Sequence, residues 1–239
     1  MTELRFLLVD VGGVLVDDRK WPAPGGDGYL NDVLTANLCA AFGQEHPWFG
    51  QLLRLRFSDP CAPDWRQSTL DTLRAQLHEL GEELDDERLR HVCQAYVIPM
   101  QHTIPLVPGA AEAMHEARGL GLRMAICSNT LVRSGEDYRR DMEYFGIAEC
   151  FDAYVTSLEV GYGKPHPAMF EAALAALGAR PEEAAMLGDR LDRDIVGAQV
   201  LGIRTIWRRL PHEVGQPDPV PDAEIAELAE LGDVLRGWR

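Results

Sequence analysis

Phe6-Leu7-Leu8-Val9-Asp10-Val11-Gly12-Gly13 is an unbroken apolar run that ends in a carboxylate and a pair of glycines. A short, continuously apolar segment of this kind reads as a strand buried on both faces, and the glycines mark the turn where it stops. The same grammar returns at Leu122 to Cys127 before Ser128-Asn129, and at Ala184 to Leu187 before Gly188-Asp189, while Ile203 to Trp207 reads as a further strand. Helical patterns separate them at Ala110 to Arg118, Glu136 to Phe145 and Pro167 to Leu177, with Gly119, Gly146 and Gly178 where C-terminal caps belong. Strands alternating with helices predict an α/β fold built on a parallel sheet. In such sheets ligands bind outside the carboxyl ends of the strands, so the three polar tips are expected to meet in one site.

The stretch from about Trp21 to Gln101 breaks the alternation. It opens on a Trp-Pro-Ala-Pro-Gly-Gly loop and continues through helical segments such as Leu70 to Leu80 and Glu87 to Tyr96, which predicts an inserted helical cap. Pro99, Pro105 and Pro108-Gly109 form its return linker, and a Pro-rich stretch, Pro211 to Pro221, leads to a last helix expected near Ala223 to Leu235.

Composition narrows the function classes. The 239 residues carry 46% hydrophobic and 26% charged side chains, the balance of a globular chain. A formal net charge of -15 disfavours nucleic acid and anionic membranes as partners. The five cysteines, Cys39, Cys61, Cys93, Cys127 and Cys150, are scattered and never form a CxxC pair, so reduced thiols and a cytoplasmic location are expected. The apolar run at Phe6 to Val9 is too short for a signal peptide or a membrane span.

Taken singly, each polar tip also has an ordinary reading. Asp10 could serve a turn, and Asp189 could cap a helix whose solvated first turn holds Asp192 and Asp194. Together they suggest chemistry. Asp10 could act as a nucleophile beside Gly12 and Gly13, whose lack of side chains lets an anion approach the backbone. Asp189 and Asp194 supply the oxygens a hard cation prefers, Lys164 could neutralise a phosphate, and Ser128 and Asn129 could donate to its oxygens.

In this order the four segments resemble the four motifs of the haloacid dehalogenase superfamily, from Phe6 to about Trp207. The resemblance implies a Rossmann-like parallel sheet flanked by helices, with a core at 1–18 and 103–239 and a helical cap at 19–102. It implies a Mg²⁺-dependent phosphatase of a small phosphorylated metabolite, working as a monomer or homodimer, with Asp10 forming an aspartyl-phosphate. Ser128, Asn129, Lys164 and Gly13 would bind the phosphate ester, and Asp10, the Gly12 carbonyl, Asp189 and Asp194 would hold the metal. Cap aromatics Trp21, Tyr29, Trp48 and Trp65 line the pocket or pack the cap's own core.

One departure bears on turnover. Phosphatases of the family carry a second Asp two positions after the nucleophile, as general acid and base, and Gly12 stands there instead. Asp17, Asp18, His166 or a cap residue are the candidate substitutes. A 2-haloacid dehalogenase, which also lacks that Asp, and a non-catalytic phospho-ligand or protein-binding module are the alternative readings.

Overall fold

The computed structural model describes residues 2–17, 28–52, 65–100 and 103–239, without the side chains of 28–31 and 65–69. Asp18 and Trp21 lie outside the described residues, as do the side chains of Tyr29 and Trp65.

Six strands form one parallel sheet: β1 (Phe6–Val9), β2 (Arg123–Ser128), β3 (Ala153–Thr156), β4 (Ala184–Gly188), β5 (Arg204–Arg208) and β6 (Ala223–Ile225), in the order β3-β2-β1-β4-β5-β6. Two-residue alternation divides the central strands between two cores. Leu7 and Val9 of β1, Met124 and Ile126 of β2, and Ala185 and Leu187 of β4 face one apolar cluster. Phe6, Leu8, Ala125, Cys127, Ala184 and Met186 face the other. Burial on both faces is why these strands are apolar without interruption.

Among the described residues between β1 and Met100 lie four helices, α1 (Gly28–Phe42), α2 (Phe49–Leu52), α3 (Trp65–Glu79) and α4 (Asp86–Gln94). Leu38, Phe49, Leu52, Leu73, Leu77, Leu89 and Val92 pack into a third cluster that belongs to these helices. Trp48 stands edge-on to Phe42 and Phe49 and stacks on His46, so it serves this cluster. Asp85 caps α4 by accepting from the Arg88 N–H. The chain's exit from β1 and its return are sewn together: Val16 bridges Leu106, Asp17 N–H donates to the Pro105 carbonyl, and Val107 N–H donates to Leu15.

The remaining helices flank the sheet: α5 (Ala110–Gly119), α6 (Gly135–Tyr144), α7 (Ser157–Val160), α8 (Pro167–Leu177), α9 (Val196–Val200) and α10 (Leu231–Gly237). Gly146 and Gly178 take the left-handed conformation beyond α6 and α8 as expected, but after α5 it is Gly121 rather than Gly119 that does so. The expected last helix is corrected at its start. Ala223–Ile225 is an edge strand, because Asp222 accepts from both the N–H and the hydroxyl of Thr205 and so docks this segment beside β5, with Ile225 buried. Only Leu231–Gly237 is α-helical there. β3 escapes a reading by apolar runs because Ala153 and Tyr154 are only half-buried at the other edge.

Arg133 and Asp141 form an ion pair with side chains 8% and 4% exposed. Arg133 also donates to the Ile98 carbonyl, and Asp141 accepts from the Met100 N–H at 2.8 Å, so this pair holds the linker that returns from α4. Burial pushes the Asp141 carboxyl above its ordinary range, with Arg133 opposing. Removing the guanidinium would strand a buried carboxylate, so Arg133→Met is expected to lower stability by about 3–5 kcal/mol. Urea unfolding checks this; a loss under 1 kcal/mol would show that the pair is not a structural clamp.

Candidate active site

The carboxyl ends of β2, β1 and β4 are neighbours in the sheet, and each delivers a polar group. Asp10 directly follows β1, Ser128 ends β2, and Asp189 follows Gly188 at the end of β4. Beyond Asp10 the chain turns tightly, with the N–H groups of Leu15 and Val16 on the Val11 carbonyl, and Val11, Val14, Leu15 and Val16 are all buried. Their burial fixes the loop that carries the catalytic candidate.

Gly13 has φ of +66°, and a Cβ built on it would lie 2.3 Å from Asp189 Oδ2. Any side chain there would strain the backbone and displace the carboxylate. Gly13→Ala is therefore expected to cost about 1–3 kcal/mol and to impair the site, which thermal unfolding and the assay below would register; unchanged values would contradict this packing. A Cβ on Gly188 would likewise fall 2.3 Å from Asp194 Cβ. Glycines at both positions let the acidic side chains crowd together.

Asp194 reaches the site through a wide turn, Leu191–Ile195, in which the N–H groups of Asp194 and Ile195 both donate to the Arg190 carbonyl. Its Oδ2 accepts from the Arg190 N–H at 3.0 Å, and its Oδ1 lies 2.6 Å from Lys164 Nζ. The same ammonium lies 2.9 Å from Asp10 Oδ1. Lys164 is 1% exposed. Burial works against its charge, but Asp10 and then Asp194 outweigh that and hold it above the ordinary lysine range. Burial pushes the Asp194 carboxyl up to about 6, Lys164 opposing and Asp10 reinforcing.

Asp10, Asp189 and Asp194 each offer an oxygen within 4.8 Å of the others. The donors are all oxygens, the type a hard cation takes, so the residues present fit such a metal.

Asn129 binds Lys164 through its backbone. Its amide accepts from Lys164 N–H at 2.7 Å and donates to the Lys164 carbonyl at 2.9 Å, fixing the lysine's position next to the cis Lys164-Pro165 bond. The Ser128 hydroxyl lies 3.1 Å from the Tyr138 hydroxyl. From β5, the Trp207 indole donates to the Asp189 carbonyl at 2.9 Å and Arg208 donates to the Gly13 carbonyl, anchoring the backbone on both sides of the acidic group.

A cavity of about 250 Å³ joins Asp10, Gly12, Ser128, Asn129, Lys164, Asp189 and Asp194. The residues expected from sequence thus converge, with Gly13 packed just behind Asp189. Sequence reasoning missed Tyr138, Arg190, Arg193, Met100 and Ile104, which share the cavity wall. Arg190 and Arg193 flank Asp192 within the last acidic segment and were findable from that adjacency; Tyr138 carries no local signal. His166 does not enter the cavity: its ring caps α8 by accepting from the Ala168 N–H and stacks on Tyr162 at 4.0 Å. Asp17 is buried at the neck and is not in the cavity wall.

A family model described as haloacid dehalogenase-like hydrolase matches residues 4–202. The phosphoserine phosphatase of Thermus thermophilus is 36% identical over 159 residues, 66% of this chain and 61% of that protein. A glyceraldehyde 3-phosphate phosphatase of Methanopyrus kandleri is 37% identical over 147 residues, 59% and 58% of the two chains. The match thus spans about three fifths of the length of these relatives. Among solved structures, a HAD phosphatase from Thermococcus onnurineus superposes with a TM-score of 0.62 at 24% identity, covering 99% of this chain and 100% of that one. The 2-haloacid dehalogenase from Pseudomonas syringae pv. Tomato DC3000 superposes with a TM-score of 0.68 at 23% identity, with the same coverage. Both share the fold.

Proposed function

The chain belongs to the haloacid dehalogenase-like hydrolases, and on that premise we propose that it hydrolyses a small phosphate monoester in two steps through Asp10. The observation that carries the reading is the buried Lys164 ammonium set between Asp10 and Asp194, with Asp189 beside them. A pure binding module has no need of a carboxylate aimed at its anionic ligand. The 36% and 37% identical relatives, both named as phosphatases, support the same activity.

In the first step an Asp10 oxygen bonds to phosphorus and the ester P–O bond breaks, releasing an alkoxide that takes up a proton. In the second, water attacks phosphorus and frees phosphate, which restores Asp10. Lys164 and the Ser128 hydroxyl stabilise the transferring phosphoryl oxygens. Mg²⁺ held by Asp10, Asp189 and the Gly12 carbonyl, with Asp194 in support, would lend the electrostatic stabilisation those oxygens need. Helices α1 to α4 would act as a cap that excludes water, and Met100 and Ile104 line the cavity from the linker that returns from α4.

No histidine lines the cavity among the described residues, and Gly12 offers no side-chain acid. Without an acid from these residues, turnover depends on how readily the leaving group departs. With Mg²⁺, phosphate release from an aryl phosphate should exceed that from alkyl phosphates by about 10²-fold or more, and EDTA should abolish both. Equal rates in EDTA would overturn the metal assignment. Halide release from 2-chloropropionate, without phosphate release from any ester, would establish the dehalogenase reading instead.

A further inference from the structure

We propose a second, chemically distinct metal site at the opposite end of the sheet, where His115, Glu149 and Cys150 take a zinc-type cation. It stands independently of the assignment at Asp10. His115 lies on α5, while Glu149 and Cys150 lie in the turn Ala148–Cys150 just before β3 begins at Ala153. The sheet is parallel, so this turn sits at the edge away from the strand tips that carry Asp10, Ser128 and Asp189.

Three donors of different type converge there. Cys150 Sγ lies 3.4 Å from His115 Nδ1, and that nitrogen lies 4.0 Å from Glu149 Oε1. All three ligand atoms fall within 4.8 Å of one another. A tetrahedral zinc ion, about 2.3 Å from sulfur and about 2.0 Å from nitrogen, sets those two atoms about 3.5 Å apart. The sulfur–nitrogen separation already matches. The carboxylate is on an exposed side chain and needs only a rotation, and water completes the fourth position.

Donor chemistry sorts the two sites. A sulfur, nitrogen and oxygen set selects zinc-type ions, whereas the oxygen set at Asp10 suits magnesium. Among the described residues these are the two groups of potential ligands that converge. Cys39, Cys93 and Cys127 are in neither, so Cys150 is the described cysteine whose thiolate a metal would reveal. An ion here would fasten α5 to the approach to β3, joining two elements that already pack against one core.

Cobalt(II) reports the site, because its thiolate bond gives a near-ultraviolet charge-transfer band that oxygen ligands do not. Full-length chain stripped with EDTA and titrated with Co²⁺ should develop this band at one ion per chain. Zn²⁺ should displace the band, and excess Mg²⁺ should leave it. His115→Ala, a change at a half-exposed side chain, should weaken Co²⁺ binding at least ten-fold, and Cys150→Ser should remove the band while Cys39→Ser keeps it. Cys150 belongs to the core, so a poorly folded Cys150→Ser leaves His115→Ala as the deciding variant. No thiolate band in the wild type, or a band of unchanged affinity in folded His115→Ala, overturns the proposal.

Discussion

Asp10→Asn is expected to fold like the wild type and to lose phosphate release by about 10³-fold or more. The argument is geometric and electrostatic together. Asp10 lies directly at the end of a central strand, its backbone N–H is fixed on the Leu187 carbonyl at 3.0 Å, and its Oδ1 meets the Lys164 ammonium at 2.9 Å. Asparagine keeps the size and one acceptor oxygen, so packing survives. The nucleophilic charge does not, and an amide forms no stable acyl phosphate. Thermal unfolding separates the two effects: an intact transition with activity gone supports the nucleophile, whereas folded variant with wild-type rates excludes it.

Gly12→Asp is expected to raise the rate on alkyl phosphates by about 10²- to 10⁴-fold, the range over which general acid–base help acts. Gly12 lines the cavity, and it is Gly13 rather than Gly12 that takes the left-handed conformation, so an aspartate at 12 meets no backbone prohibition. The gain should be largest for poor leaving groups and small for an aryl phosphate, whose departing oxygen needs little protonation. Steady-state rates across a leaving-group series test this directly. A uniform rate across the series in both proteins would mean that another group supplies the proton. That result would return Asp18 and the undescribed cap segments to consideration.

Asp10, Ser128 and Asp189 were legible in the sequence because they sit at the ends of strands buried on both faces. Phe6 to Val9 and Ala184 to Leu187 are continuous apolar runs, and a run that stops at Asp10 or Gly188-Asp189 points to its own tip. Edge strands carry no such signal. In Ala153–Thr156 the first two residues are only half-buried, and Ala223–Ile225 is placed by Asp222 meeting Thr205, a contact between residues 17 positions apart. The supports of the site were hidden for the same reason. Trp207 on the Asp189 carbonyl, Arg208 on the Gly13 carbonyl and Tyr138 on Ser128 are tertiary contacts between ordinary-looking residues. Asn129 was visible as a polar tip, but its grip on both backbone groups of Lys164 was not.

His166 illustrates the limit of proximity along the chain. It lies two residues from Lys164, yet the helix that begins at Pro167 takes its ring as a cap, and Tyr162 stacks against it away from the cavity. Turn geometry, which decides where consecutive side chains point, outweighs sequence spacing there. No helix among the described residues is long and apolar enough to cross a membrane.

The central claim is that phosphate leaves its ester by passing through Asp10. Acid-quenched intact-protein mass spectrometry during turnover of an aryl phosphate with Mg²⁺ measures that passage. The account predicts a fraction of the wild-type chain heavier by one phosphoryl group, located on the peptide that contains Asp10 and absent from Asp10→Asn. Phosphate release by the wild type with no such adduct during rapid turnover, or with an adduct on another residue, would contradict it.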